Sequence, residues 1–327
     1  MSAALAAQRL ATAWALFQGL LIEALPFLLL GVVIATGARW FTPGGRWLRQ
    51  LPSHPLGGPL TGAGLGLALP ACECGNVPVA RRLLADGAPL GTALGFLFAA
   101  PVLNPIVLAS TWAAFPDRPW LLLLRPLGAV VVAVGLALLL GLLGEGELLT
   151  GDLLEERRLS RPLSDLSLLE RRSGLLGGPA LPATPLPAPA PARPTAAELL
   201  RHGSNEFLSL ALVLVAGCAI AALVQTLVPR QWFLALGGRP TLSILALMLF
   251  ALVVSVCSSV DAFLALGFAA QITPGALLAF LLLGPVIDLK LFGLLGQLFR
   301  PRALLFTLAG SSLLVLLIGQ LVNLWRL

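Results

Sequence analysis

The sequence is short of charge, histidine and lysine. Only 11% of its residues are Asp, Glu, Lys or Arg, against about 25% in soluble domains. With a mean hydropathy of +0.94, that scarcity excludes a soluble globular chain and makes this an integral membrane protein. The two histidines, His54 and His202, lie outside the apolar runs, which excludes bis-His haem ligation within a membrane. The four cysteines, Cys72, Cys74, Cys218 and Cys257, sit in apolar surroundings, so a secreted disulfide framework is not expected. There is no Walker motif, no HExxH and no Ser-His-Asp set within the spans. ATP hydrolysis and the familiar hydrolase chemistries are thereby set aside, and any work must draw on a gradient or a partner. The glycines Gly62, Gly64 and Gly66 have no strand-turn-helix context and read as close helix packing. Net charge is +6, carried by arginines between apolar runs (among them Arg39, Arg46, Arg118, Arg125, Arg230, Arg239 and Arg300). These read as snorkelling and headgroup contacts. No basic patch interleaved with aromatics is present, so no nucleic-acid partner is expected.

What is present is a series of eight hydrophobic segments: about 14–36, 60–84, 88–112, 119–143, 205–228, 241–268, 275–298 and 302–325. A crossing takes about 20 apolar residues. The first run is too long for a signal-peptide core and reads as a retained helix. Breaks are expected at Pro70, at Pro101 and Pro105, and at Gly284-Pro285. They could raise the count to ten elements, with the freed backbone groups lining a cavity. Residues 146–200 turn charged and then Pro/Ala-rich, as in a flexible, solvated linker, read as cytoplasmic although the arginine distribution conflicts. The expected fold is all-α: a polytopic transmembrane helix bundle of two related halves, 1–145 and 201–327, with broken helices at mid-membrane.

Two polar signatures support the halves. Cys72-Glu73-Cys74-Gly75-Asn76 is echoed by Cys257-Ser258-Ser259-Val260-Asp261. Phe96-Leu97 with Pro101-Val102-Leu103-Asn104 is echoed by Phe280-Leu281 with Pro285-Val286-Ile287-Asp288. Glu23 and Glu206 form a weaker pair. Polar groups deep in membrane sequence cost about 2.5–3.5 kcal/mol for an Asp at a helix centre, so a duplicated set suggests one site built from two halves. The substrate contacts expected are Cys72, Cys74, Asn76, Asn104, Cys257, Ser259, Asp261 and Asp288. Thiolates would meet soft, thiophilic centres; the plainer alternative is that the cysteines are small packing residues. Asp261, Asp288 and Lys290 are the expected proton-coupling groups. Their alternatives are caps on half-helices for the aspartates and a snorkelling role for the lysine. Lys290 is the one lysine in the chain, and it meets Asp288 only if the helix unwinds there. Glu73 is expected to pair with Arg81 or Arg82, which mark a loop end.

The two stretches CECGNVPVARRLLADGAPLGTALGFLFAAPVLNP and CSSVDAFLALGFAAQITPGALLAFLLLGPVIDLK resemble the ArsP-type permease family of bacterial inner-membrane proteins. With their flanking spans they cover most of the chain outside the linker. The resemblance implies a multi-pass permease of the bacterial inner membrane that is not an enzyme. It also implies a small-molecule substrate, for some members a trivalent organoarsenical, tied to arsenic resistance. No cofactor or resident metal is expected. The partners are the lipid bilayer and the solute, and oligomeric state is left open. The rival readings are a membrane thiol-disulfide oxidoreductase using Cys72 and Cys74, and a non-transporting assembly factor docking through the linker.

Overall fold

The computed structural model describes residues 2–41, 48–69, 72–160, 195–227 and 240–325. Expectations at Pro70, Arg46, Arg230, Arg239 and the Pro/Ala-rich part of the linker lie outside these residues. The described residues form a helical bundle in which six helical stretches are long and apolar enough to cross a membrane. In chain order the helices are α1 (Ser2–Phe41), α2 (Gly57–Ala68), α3 (Glu73–Ala85), α4 (Leu90–Leu103), α5 (Pro105–Ala114), α6 (Pro119–Gly141), α7 (Gly144–Leu148) and α8 (Gly151–Leu159). They continue as α9 (Ala196–Leu227), α10 (Pro240–Val254), α11 (Asp261–Leu266), α12 (Pro274–Val286), α13 (Leu289–Leu295) and α14 (Pro301–Leu324).

Four of the eight expected segments are not single helices. The 60–84 run divides into α2 and α3, and the 241–268 run into α10 and α11. Both divisions fall beside a cysteine signature. The 88–112 run divides at Asn104 into α4 and α5, and the 275–298 run at Ile287 and Asp288 into α12 and α13; Pro101 and Pro285, where breaks were expected, lie inside α4 and α12. Backbone groups released there can be satisfied only by protein, which is why these joints are interior.

The interior is made by α4 and α12. Every residue from Thr92 to Val102 is buried, and in α12 the residues from Gly275 to Leu283 are buried. The long helices α1, α9 and α14 show the opposite pattern, one face inward and one outward. Leu20, Ala24 and Leu28 of α1 are buried, whereas Ile22, Leu29 and Val33 are exposed. An apolar outer face at helical spacing is a lipid-facing surface. α4 packs on α2 and α6, α12 on α10 and α14, and α1 on α9 and α3.

Small residues set the closest approaches. Gly62 and Gly66 of α2 lie so near α4 that a Cβ would meet the backbone at Thr92 and Ala100. Gly64, between them, faces open space, so two of the three glycines carry the packing expected of the motif. Gly31 of α1 likewise has no room for a Cβ against the Gly75 backbone of α3.

The start of the expected linker is folded. Leu148, Leu149 and Leu153 are fully buried. Thr150 N donates to Leu298 O at 2.9 Å and Arg300 N to Leu148 O at 2.9 Å. Charge in 144–160 therefore marks a polar end of the bundle rather than a solvated strand.

Candidate functional site

The site begins with two non-helical joints. Cys72 is the N-cap of α3 in extended conformation, and its carbonyl accepts from Asn76 N at 3.0 Å. In the joint between α10 and α11, the Cys257 carbonyl accepts from Asp261 N, also at 3.0 Å. Residues that match in sequence thus make the same backbone bond. Before Cys257, Ser255 adopts a φ of 49°, a left-handed conformation uncommon for a residue with a Cβ. That turn gives Ser255 two bonds across to α13. Its carbonyl accepts from Lys290 Nζ at 2.8 Å, and its hydroxyl oxygen accepts from Leu289 N at 3.1 Å.

Glu73 is the hub. Its Oε1 lies 3.0 Å from Lys290 Nζ. Its Oε2 faces the second signature: Ser258 Oγ donates to it at 3.2 Å and Cys257 Sγ at 3.7 Å. Ser259 Oγ donates to Cys257 Sγ at 3.4 Å. Lys290 is also 3.6 Å from Asp288 Oδ2. Glu73, Asp288 and Lys290 are each 1% exposed or less. A charge so placed persists only with partners, and here each carboxylate depends on the one ammonium. Glu23 of α1 reaches the same cluster and interacts with Cys257, Glu73 and Lys290.

A second buried ion pair flanks the first. Arg125 of α6, fully buried, donates to Asp261 Oδ2 at 2.6 Å, to Thr111 Oγ1 at 2.6 Å and to the Ser258 carbonyl at 3.3 Å. One guanidinium thereby ties α6 and α5 to the α10–α11 joint.

Several expectations change at this point. Glu73 pairs with Lys290, not with Arg81 or Arg82. Those arginines are in the last turns of α3, not in a loop. Arg81 pairs with Glu156 of α8 at 3.1 Å and with Glu206 of α9 at 3.6 Å, and Arg82 pairs with Asp86. Glu23 and Glu206 therefore have different surroundings. Arg125, read as a loop arginine, is inside α6. Lys290 does not snorkel: it is buried, and it meets Asp288 because Asp288 is the N-cap of α13.

Asn104 and Asp288 are matching caps. Asn104 Oδ1 accepts from Ile106 N at 2.9 Å at the start of α5. Asp288 Oδ1 accepts from Leu291 N at 2.6 Å at the start of α13. Asp288 keeps its other oxygen for Lys290. Asn76 and Cys74 are fully buried in α3 beside that cluster, and Cys218 is buried in α9. The sequence offered little warning of Arg125 and Glu73, whose partners lie more than a hundred residues away. The signal that existed was arithmetic: buried acids at 261 and 288 require buried bases.

Among potential ligand groups in the described residues, Cys72 Sγ, a Glu73 carboxylate oxygen and Cys257 Sγ all lie within 4.8 Å of one another. All three residues are buried.

Comparison with known proteins places the chain. It is 33% identical to the UPF0718 protein YcgR of Bacillus subtilis (strain 168), over 94% of this chain and 95% of the relative. It is 30% identical to a Streptococcus mutans (strain ATCC 700610 / UA159) protein named "Putative two-component membrane permease complex subunit", over 94% of both chains. No solved structure matches it. The family model described as "Predicted permease", ArsP_1, matches residues 9–324, the span that holds every residue of the cluster just described. The chain belongs to the ArsP-type predicted permease family.

Proposed function

We propose that this multi-pass membrane protein is a gradient-driven permease of the bacterial inner membrane, not an enzyme. It carries a small thiophilic solute by alternating access between two related halves, 1–145 and 201–327, joined by the 146–200 linker. The observation that carries this reading is the buried cluster of Glu73, Lys290, Asp288, Cys72 and Cys257, contributed jointly from both sides of the linker. Charged groups in a membrane interior mark solute and ion pathways, and discontinuous helices at a repeat interface form the binding sites of many carriers. The matched caps at Asn104 and Asp288 and the matched bonds at Cys72 and Cys257 support the internal repeat.

Organoarsenicals and metal–thiol species are the solute chemistries in keeping with the family and the thiols. Asp261 and Asp288, each held against one cation, are the groups that exchange a proton during the cycle. In proteoliposomes under an imposed pH gradient, Asp261→Asn or Asp288→Asn uncouples solute movement from the gradient; coupling unchanged in both would rule out the proton role. In cells, replacing Cys72, Cys74 and Cys257 together by Ser abolishes any arsenical resistance the protein confers, and intact resistance would remove the thiols from the site.

A thiol-disulfide oxidoreductase is the weaker reading. Catalytic thiols work as accessible thiolates, whereas Cys72, Cys74 and Cys257 are all buried.

A further inference from the structure

We infer that the solute bound at this site is a thiophilic divalent metal cation of the zinc and cadmium class, held by Cys72 Sγ, Cys257 Sγ and the Glu73 carboxylate. This rests on the permease reading and narrows its solute.

The spacing fits. In a tetrahedral zinc site, metal–sulfur bonds of about 2.3 Å and metal–oxygen bonds of about 2.0–2.2 Å place sulfur and oxygen ligands about 3.6 Å apart, and two sulfurs about 3.8 Å apart. Cys257 Sγ is 3.7 Å from Glu73 Oε2, and the three ligand groups span no more than 4.8 Å. Two sulfurs with one carboxylate select borderline and soft metals over magnesium or calcium, which take all-oxygen shells.

The charge fits as well. Glu23, Glu73 and Asp288 surround one ammonium, Lys290. Glu73 divides its oxygens, Oε1 toward that ammonium and Oε2 toward the sulfur. The Glu23 Oε1 atom is buried without a hydrogen-bond partner, and Asp288 Oδ2 faces the shared ammonium at 3.6 Å. A neutral arsenical would leave this acidic surplus uncompensated, whereas a dication offsets it; the two cysteines bind as thiolates, and their protons pass to the remaining carboxylates of the cluster.

The connectivity gives the site a use. Cys72 and Glu73 start α3, and Cys257 lies in the α10–α11 joint. Three protein ligands with one replaceable position is an open arrangement, which a cargo ion can enter and leave. Parting the two joints would pull Cys257 from the other ligands and release the ion.

The test uses full-length protein in nanodiscs with Cd²⁺ as the probe. Binding of about one Cd²⁺ per chain, with the ultraviolet charge-transfer band of cadmium thiolate, is expected. Cys72→Ser and Cys257→Ser each lose the band and weaken binding by about tenfold or more, the scale on which lost metal-site interactions act; Cys218→Ser does not. Should the serine variants fail to fold, the wild type decides: Cd²⁺ must shield Cys72 and Cys257, but not Cys218, from alkylation read by mass spectrometry. Equal labelling with and without Cd²⁺, or a band that survives both substitutions, overturns the assignment. Proteoliposomes separate the two readings. Movement of a trivalent arsenical without binding or movement of Cd²⁺ or Zn²⁺ overturns the cation and leaves the permease. Site-specific Cd²⁺ binding with no solute moved leaves the ion site and removes the permease.

Discussion

Two buried ion pairs, Lys290 with Glu73 and Arg125 with Asp261, set the energetics at the level of single residues. Such a pair adds little over an apolar replacement of both members, but loss of one member strands the other charge at a cost of about 3–5 kcal/mol. Arg125→Met should therefore lower the thermal midpoint of the detergent-solubilised protein severely, and Arg125→Met with Asp261→Asn should recover much of it. No recovery in the double variant would mean that the bonds of Arg125 to Thr111 and the Ser258 carbonyl matter more than the pair. The sequence reading identified Asp261 and Asp288 because acids in apolar runs stand out. It misplaced Arg125 because an arginine ahead of a proline looks like a helix end, and it gave Glu73 local partners because proximity along the chain is all that one sequence shows. The bonds that overturned both readings join residues far apart in the chain.

Helix ends and helix crossings carry the next level. Asn104 and Asp288 were read both as site residues and as caps, and each does cap a helix. Removing an Asn cap costs about 1 kcal/mol, so Asn104→Ala should loosen the start of α5 by that amount, while Asn104→Asp keeps the cap. Backbone hydrogen exchange at Ile106 and Val107 would read the difference. Crossings are less forgiving. Gly31→Leu forces α1 away from Gly75 and the cysteine joint and should abolish stable expression. Gly19→Leu, on the same helix with open space around it, should not. Fluorescence of tagged variants in size-exclusion profiles separates the two. The apolar runs were legible because they rest on composition, but at Pro101 and Pro285 the helix continues past the proline to a capping residue, Asn104 or Asp288. The division of 241–268 into a helix pair was not legible, because a buried joint is as apolar as the helices it separates.

At the scale of the whole molecule, α7 and α8 alter where the middle of the chain becomes dispensable. Arg157 Nη1 donates to the Leu84 and Ala88 carbonyls at 2.7 and 2.9 Å, closing the end of α3, and Arg157 also pairs with Glu145 at 2.9 Å. Deleting 165–190 should leave transport and thermal stability close to wild type, whereas deleting 147–160 should destroy both. A deletion of 165–190 that abolishes transport yet leaves the protein folded would favour a docking role for that stretch. Composition could not distinguish a charged clamp from a solvated tether, since both are rich in Glu and Arg.

The ion pairs have one more consequence, for biosynthesis. When 1–145 has entered the bilayer and 201–327 has not, Glu73 lacks Lys290 and Arg125 lacks Asp261. Glu73 and Arg125 then stand in lipid without the partners that balance them in the finished fold. The cation for Glu73 and the carboxylate for Arg125 both come from beyond the linker. The two ion pairs therefore close late, once the residues before and after the linker share one bilayer.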